Sequence, residues 1–139
     1  MSIVSYIIIT FIILFLDFIW LYLNANMYKK LVYEIQGFDL NINYLGAILS
    51  YLCLILALLI FVFPLIKNEY YKNKKQSLLL LAIKNGGLLG LLMYGMFNTT
   101  NIGIFKNYHY TYATMDTIWG FFLFSFISYI YLIFLQKFY

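Results

Sequence analysis

Two aspartates sit inside stretches that are otherwise apolar. Asp17 lies in "FLDFIWLYLN" (15–24) and Asp116 in "MDTIWG" (115–120), and each is followed three residues later by a tryptophan, Trp20 and Trp119. A carboxylate in such a setting can relay a proton, hold a cation, act as a general acid or base, or accept hydrogen bonds from a polar ligand. An indole three positions on shares the same face of a helix and adds one N–H donor and a flat apolar roof. Leaving a carboxylate unpaired at the centre of a bilayer costs about 2.5–3.5 kcal/mol on insertion scales. The two acids must therefore pair, face a wet cavity, or serve function.

The elements that position them follow from composition. Of 139 residues, 65% are hydrophobic and only 10% charged, far from the soluble average of about a quarter charged, so this is a membrane chain. Four apolar segments, about 3–23, 44–66, 78–97 and 112–135, each approach the 20 residues needed to cross about 30 Å of hydrocarbon. The expected fold is all-α: a polytopic membrane protein, residues 1–139 forming one domain of four transmembrane helices in a compact antiparallel bundle. No strand-like alternation points to a barrel. The first segment lacks a basic start and a small-residue cleavage site, so it is expected to be retained rather than removed as a signal. After it, Met27, Leu31 and Ile35 recur at helical spacing before Gly37, which predicts a short interfacial helix.

Other chemistries find little support. The nine lysines lie in short loops and not along an aromatic-laced face, so no nucleic-acid partner is expected. Cys53 is a lone cysteine and His109 a lone histidine, which supplies no metal site; no cofactor motif occurs. Lys84 reads as a side chain snorkelling toward the interface.

Span parity brings the two Asp-Trp motifs together. Asp17 lies near the end of the first segment and Asp116 near the start of the antiparallel fourth, so both fall about 6 to 9 Å below the same, non-cytoplasmic, face. Along the third segment Gly86, Gly90, Tyr94 and Asn98 recur every fourth residue, with Asn101 three further on; the glycines, joined by Gly120 beside Trp119, would let backbones approach. The candidate binding cluster is thus Asp17, Trp20, Asn24, Tyr94, Asn98, Asn101, Asp116 and Trp119. Simpler roles compete: interfacial anchoring accounts for the two tryptophans equally well, and the residues of "FNTTN" can end a helix by satisfying its carbonyls.

"LDFIWL", "NGGLLGLLMYGMFNTTNIGIFK" and "MDTIWG", in that order and spacing, resemble the signature of a family of predicted four-span membrane proteins, domain of unknown function 2177. The resemblance implies the four-span fold and no particular activity. It marks Asp17, Trp20, Gly90, Tyr94, Thr100, Asn101, Asp116, Trp119 and Gly120 as matching positions. The chain departs from the family pattern at Asn98, where the third helix of the family carries Asp, and a metal-dependent site loses one hard ligand by that change.

These residues point first to a membrane protein that binds a small polar group or lipid headgroup in an outward-facing cleft. Proton or cation transport is an alternative, although the cytoplasmic half offers no matching acid; a structural or assembly subunit is another. A lipid-modifying enzyme comes last, because no nucleophile, metal cluster or cofactor motif accompanies the acids. The bilayer is the expected partner, with a homo-oligomer compatible. Lysine placement predicts both termini in the cytoplasm, because Lys67, Lys72, Lys74 and Lys75 gather in one short loop. Accessibility reporters placed at Asn41 and Lys74 should label from outside and inside respectively; labelling of Lys74 from outside would reverse the orientation.

Overall fold

The computed structural model describes residues 3–138. Among them the chain is helical, without strands, and four helices are long and apolar enough to cross a membrane: a first span Ile3–Leu23, a second Tyr44–Lys72, a third Leu78–Ile104 and a fourth Tyr110–Phe138. A surface helix, Ala25–Gln36, follows the first span and ends at Gly37, whose φ of 78° is the left-handed conformation glycine adopts without a Cβ clash. Asn43 and Ser77 start the second and third spans by accepting from the backbone N–H of Gly46 and Leu80. The second and third helices run several residues past the apolar segments read from the sequence. Polar residues beyond the hydrocarbon still keep the backbone ladder closed, and the helices stop only at the turns around 73–77 and 105–109.

Two of the spans contain one wide π turn, and each has a local cause. In the second span the π turn Leu58–Val62 precedes Pro64, whose ring removes an N–H and crowds the carbonyl four residues back. Phe63 instead donates to Leu58, one residue further away than α geometry allows. In the third span the π turn Ile83–Gly87 turns two consecutive glycines toward the fourth. A methyl at Gly86 would collide with the Ser128 side chain and lie 2.6 Å from the Phe124 carbonyl oxygen, and one at Gly87 would meet Ser125 and the Phe121 ring.

The fourth span is the mast of the bundle. Half of its apolar window is buried, against 11% for the second span, so it is the helix onto which the others chiefly pack. Phe124, Ile127, Leu132 and Leu135 are fully buried there beside Ile66, Leu81 and Ala82. Toward the ends carrying Ser5 and Tyr131, the Phe63 and Tyr131 rings stack 4.2 Å apart and Tyr6 tilts onto both. The first half of the second span, Tyr44–Ala57, is different: none of its residues is buried, whereas the second half supplies Leu58, Val62, Phe63, Ile66 and Tyr70 to the core.

One sequence expectation needs correction. Lys84 does not simply snorkel: its ammonium lies 3.2 Å from Glu69, which also accepts from Asn85, so the end of the bundle away from the aspartates does carry an acid. The pair is largely exposed, which keeps its contribution near that of a surface ion pair.

Among the described glycines, Gly90 makes the closest approach to the backbone of another span. A Cβ there would strike the Gly120 carbonyl oxygen and lie 2.7 Å from Phe124 Cβ, while Leu91 beside it is exposed. Gly90→Leu should lower thermal stability in detergent by an overpacking cost of about 1–3 kcal/mol or more, and Leu91→Phe by less than about 0.5 kcal/mol. Equal melting temperatures would put Gly90 toward lipid.

Candidate functional site

Asp17 stands six residues from the last residue of the first span, and Asp116 six residues from the first residue of the fourth. In antiparallel neighbours this puts both carboxylates at one level, about 9 Å of helix rise inside the ends. Each is buried, 7% exposed. The Asp-x-x-Trp spacing then has a reciprocal outcome. Trp119 of the fourth span donates its indole N–H to Asp17 Oδ1 at 2.8 Å, and Trp20 of the first donates to Asp116 Oδ1 at 3.3 Å. The two indoles stack between the helices, ring centres 4.9 Å apart and planes 4° from parallel. Each helix thus offers an acceptor and a donor to the other, and the aromatic faces close over them.

The remaining spans complete the shell. Tyr51 of the second span donates to Asp17 Oδ2 at 2.8 Å, and Tyr94 of the third reaches Asp17 Oδ1 at 3.4 Å. Asn98, 1% exposed, donates from its amide to Asp116 Oδ2 at 2.8 Å and to the Tyr94 carbonyl at 2.9 Å, with a longer 3.4 Å approach to Thr117. Its own oxygen accepts from the Tyr108 hydroxyl at 2.7 Å. In all five of these contacts to the carboxylates, Tyr51, Tyr94, Trp119, Trp20 and Asn98 donate and the acids accept.

The surface helix covers this end of the bundle. Leu31 packs with Tyr108, Tyr112 and Ala113, and Tyr28 lies against Tyr112 with ring centres 5.7 Å apart. The turn after the third span is pinned to the same helix, because His109 pairs with Glu34 and Asn107 donates to the Glu34 carbonyl at 2.9 Å. Burial pushes the Tyr108 hydroxyl up to about 12, opposed by the nearby Asn101 amide and reinforced by Asp116. Burial, then the charge of Asp116, likewise raises Tyr28. Both phenols therefore stay protonated near neutral pH, and Tyr108 remains a donor to Asn98.

Six of the eight candidate residues thus come together: Asp17, Trp20, Tyr94, Asn98, Asp116 and Trp119. Asn24 is held apart, folding back to donate to the Trp20 carbonyl at 2.9 Å, and Asn101 stands beside Tyr108 at the edge. Gly86, Gly90 and Gly120 all lie at span contacts, Gly120 against the Tyr94 ring. Tyr51, Tyr108 and Gly87 escape a reading of the sequence. Tyr51 is one of fifteen tyrosines and belongs to an apolar segment, 44–66, without an acid, Tyr108 sits in a turn, and Gly87 faces a neighbour only because of the π turn. Among the described residues no three His, Cys, Asp or Glu side chains converge, so a cation would have to rely on the two acids and displace N–H and O–H donors already aimed at them.

A helical bundle of four membrane-crossing spans, pinned near one end by crossed carboxylate–indole bonds, defines a polytopic membrane protein with an intramembrane acid pair. The family model described as "Predicted membrane protein (DUF2177)" matches residues 2–133, and the chain belongs to that family. No curated protein and no solved structure matches the chain.

The geometry ranks the two indoles. Trp119→Phe removes the shorter bond and leaves a buried carboxylate oxygen short of a donor, so it should cost about 1–3 kcal/mol; Trp20→Phe, losing a 3.3 Å bond, should cost less. Asn98→Asp should be worse than Asn98→Ala in chemical denaturation at neutral pH, because it replaces the donor to Asp116 by another acid. The reverse order in either comparison would contradict the donor–acceptor pattern.

Proposed function

We propose that the Asp17–Asp116 cluster binds a small polar group or lipid headgroup at the non-cytoplasmic end of the bundle, with both termini in the cytoplasm. The observation that carries this reading is the position of Tyr51. Its hydroxyl donates to Asp17 Oδ2, and the same side chain lines a groove open to the bilayer, so one acid of the pair lies a single side chain from the membrane phase. Acceptor-only carboxylates at that place suit a ligand that brings hydrogen-bond donors.

A structural role is the second reading, favoured by the reciprocal indole bonds, which by themselves join the first and fourth spans. Ion movement gains less support. Glu69 and Lys84 lie at the other end, but the fully buried Leu123, Phe124 and Ile127 fill the interior of the fourth span between the two polar groups. Asp17→Asn and Asp116→Asn separate binding from scaffolding. Both variants keep a polar group of the same shape, and each should melt within a few degrees of the parent in detergent. Binding predicts that a lipid or small molecule co-purifying with the parent, identified by mass spectrometry, drops at least about tenfold in either variant. Identical co-purifying species in all three proteins would leave the scaffolding reading.

A further inference from the structure

Resting on the binding reading, the structure assigns the ligand a chemical class: a lipid with a hydrogen-bond-donating head, hydroxyl or ammonium, and no phosphate, which enters sideways between the first and second spans and takes the place of the Tyr51 hydroxyl on Asp17. Four observations converge on it. The first is the groove itself, about 410 Å³, lined by Phe11, Leu14, Phe15 and Phe18 of the first span and Tyr51 of the second. A further groove, from Ile3 past Thr10, shares Phe11 and Leu14 with it, so the two run end to end along the first span for about 22 Å of helix rise. This surface lies within a membrane-crossing helix, where hydrocarbon is the surrounding phase, and the one polar side chain in the lining of the first groove, Tyr51, donates to Asp17 behind it.

The second observation is the freedom of the wall that carries Tyr51. The first half of the second span, Tyr44–Ala57, has no buried residue and meets the core only through partly buried Leu54 and Ile55, so moving it aside disturbs the core less than moving the second half would. Tyr51 then occupies a donor position on Asp17 that another donor can fill, with one hydrogen bond broken and one formed. Third, depth selects the head. Asp17 lies about 9 Å of helix rise below the end of its span, deeper than the plane of phosphate groups, and a single hydroxyl, or an ammonium that Asp17 itself pairs with, brings fewer polar groups to be desolvated at that depth than a phosphate ester does. Fourth, charge excludes the alternative: a phosphate brings acceptor oxygens and negative charge to two acids, and no Lys stands among the residues that surround them.

Trp20 and Trp119 are the two tryptophans of the chain, so tryptophan emission, excited selectively over the tyrosines, reports on the site alone. Full-length protein in nanodiscs would be titrated with hexadecanol, hexadecylamine, hexadecyl phosphate and chain-free ethanolamine. A saturable emission change is expected with hexadecanol, hexadecylamine or both, at a concentration at least about tenfold below any change caused by hexadecyl phosphate. Which of the two responds distinguishes a neutral hydroxyl lipid from an amine lipid. Tyr51→Phe, which removes the competing donor and keeps the ring, should tighten binding about fivefold, and Leu14→Phe, which narrows the groove, should weaken it. Equal responses to hexadecyl phosphate, or no effect of Tyr51→Phe, would overturn the assignment. A response to ethanolamine as strong as to the long-chain amine would overturn it too while leaving the binding reading in place. Silence toward all four probes would remove both.

Discussion

A carboxylate inside a membrane has to find its hydrogen bonds within the protein, and much of one end of this bundle is arranged around that constraint. Water is scarce at the depth of Asp17 and Asp116, so each acid is met by N–H and O–H groups from other helices. The same three-residue offset in two antiparallel helices makes the solution mutual. Because Trp follows Asp toward the end of the first span and toward the middle of the fourth, the indoles flank the two acids from opposite sides, each bonds the partner's acid diagonally, and the two rings meet face to face. Register between the first and fourth spans is thereby set by polar contacts, while their apolar faces, which resemble lipid chemically, would specify it only weakly.

The third span serves this clasp through its own patterning. Small residues at its inner end allow contact close enough to bring the backbone of the fourth span within van der Waals range, and that proximity carries Tyr94 and Asn98 to the acids one and two turns later. Asn98 is the joint of the network: its amide reaches Asp116 and the Tyr94 carbonyl, and its oxygen receives Tyr108 from the turn beyond. Through Tyr108 the cluster is tied to the surface helix, where Leu31, Tyr28 and Glu34 hold that turn.

The four helices and the meeting of the two Asp-Trp motifs were legible because they depend on quantities that a sequence carries directly: segment length, span parity and residues at intervals of three or four. The stripe from Gly86 to Asn98 was legible for the same reason, although it crosses a π turn that shifts the register and adds Gly87 to the contact face. What could not be read depends on which helices lie side by side. Tyr51 has no acid or amide at helical spacing from it, and only the placement of the second span against the first makes it a donor to Asp17. Lys84 and Glu69 are fifteen residues apart across a turn, and their pairing depends on how that turn folds. The ends of the second and third helices were underestimated because apolar runs measure hydrocarbon thickness, whereas helices end where caps and turns allow.

The bundle combines a rigid part with a looser one, and the acid pair lies between them. On one side the third and fourth spans are joined by glycine contacts that admit no added methyl, and the fourth buries half of its apolar window. On the other, the first half of the second span touches the cluster chiefly through one phenol and adds only partly buried Leu54 and Ile55 to the edge of the core. Asp116 is accordingly held by donors from the first and third spans, while Asp17 owes one of its three to the looser wall. If a group from the membrane is to reach either acid without unpacking the bundle, Asp17 is the one the architecture leaves approachable. The equal sequence contexts of the two aspartates thus conceal unequal environments, created by what each neighbouring helix does with the rest of its length.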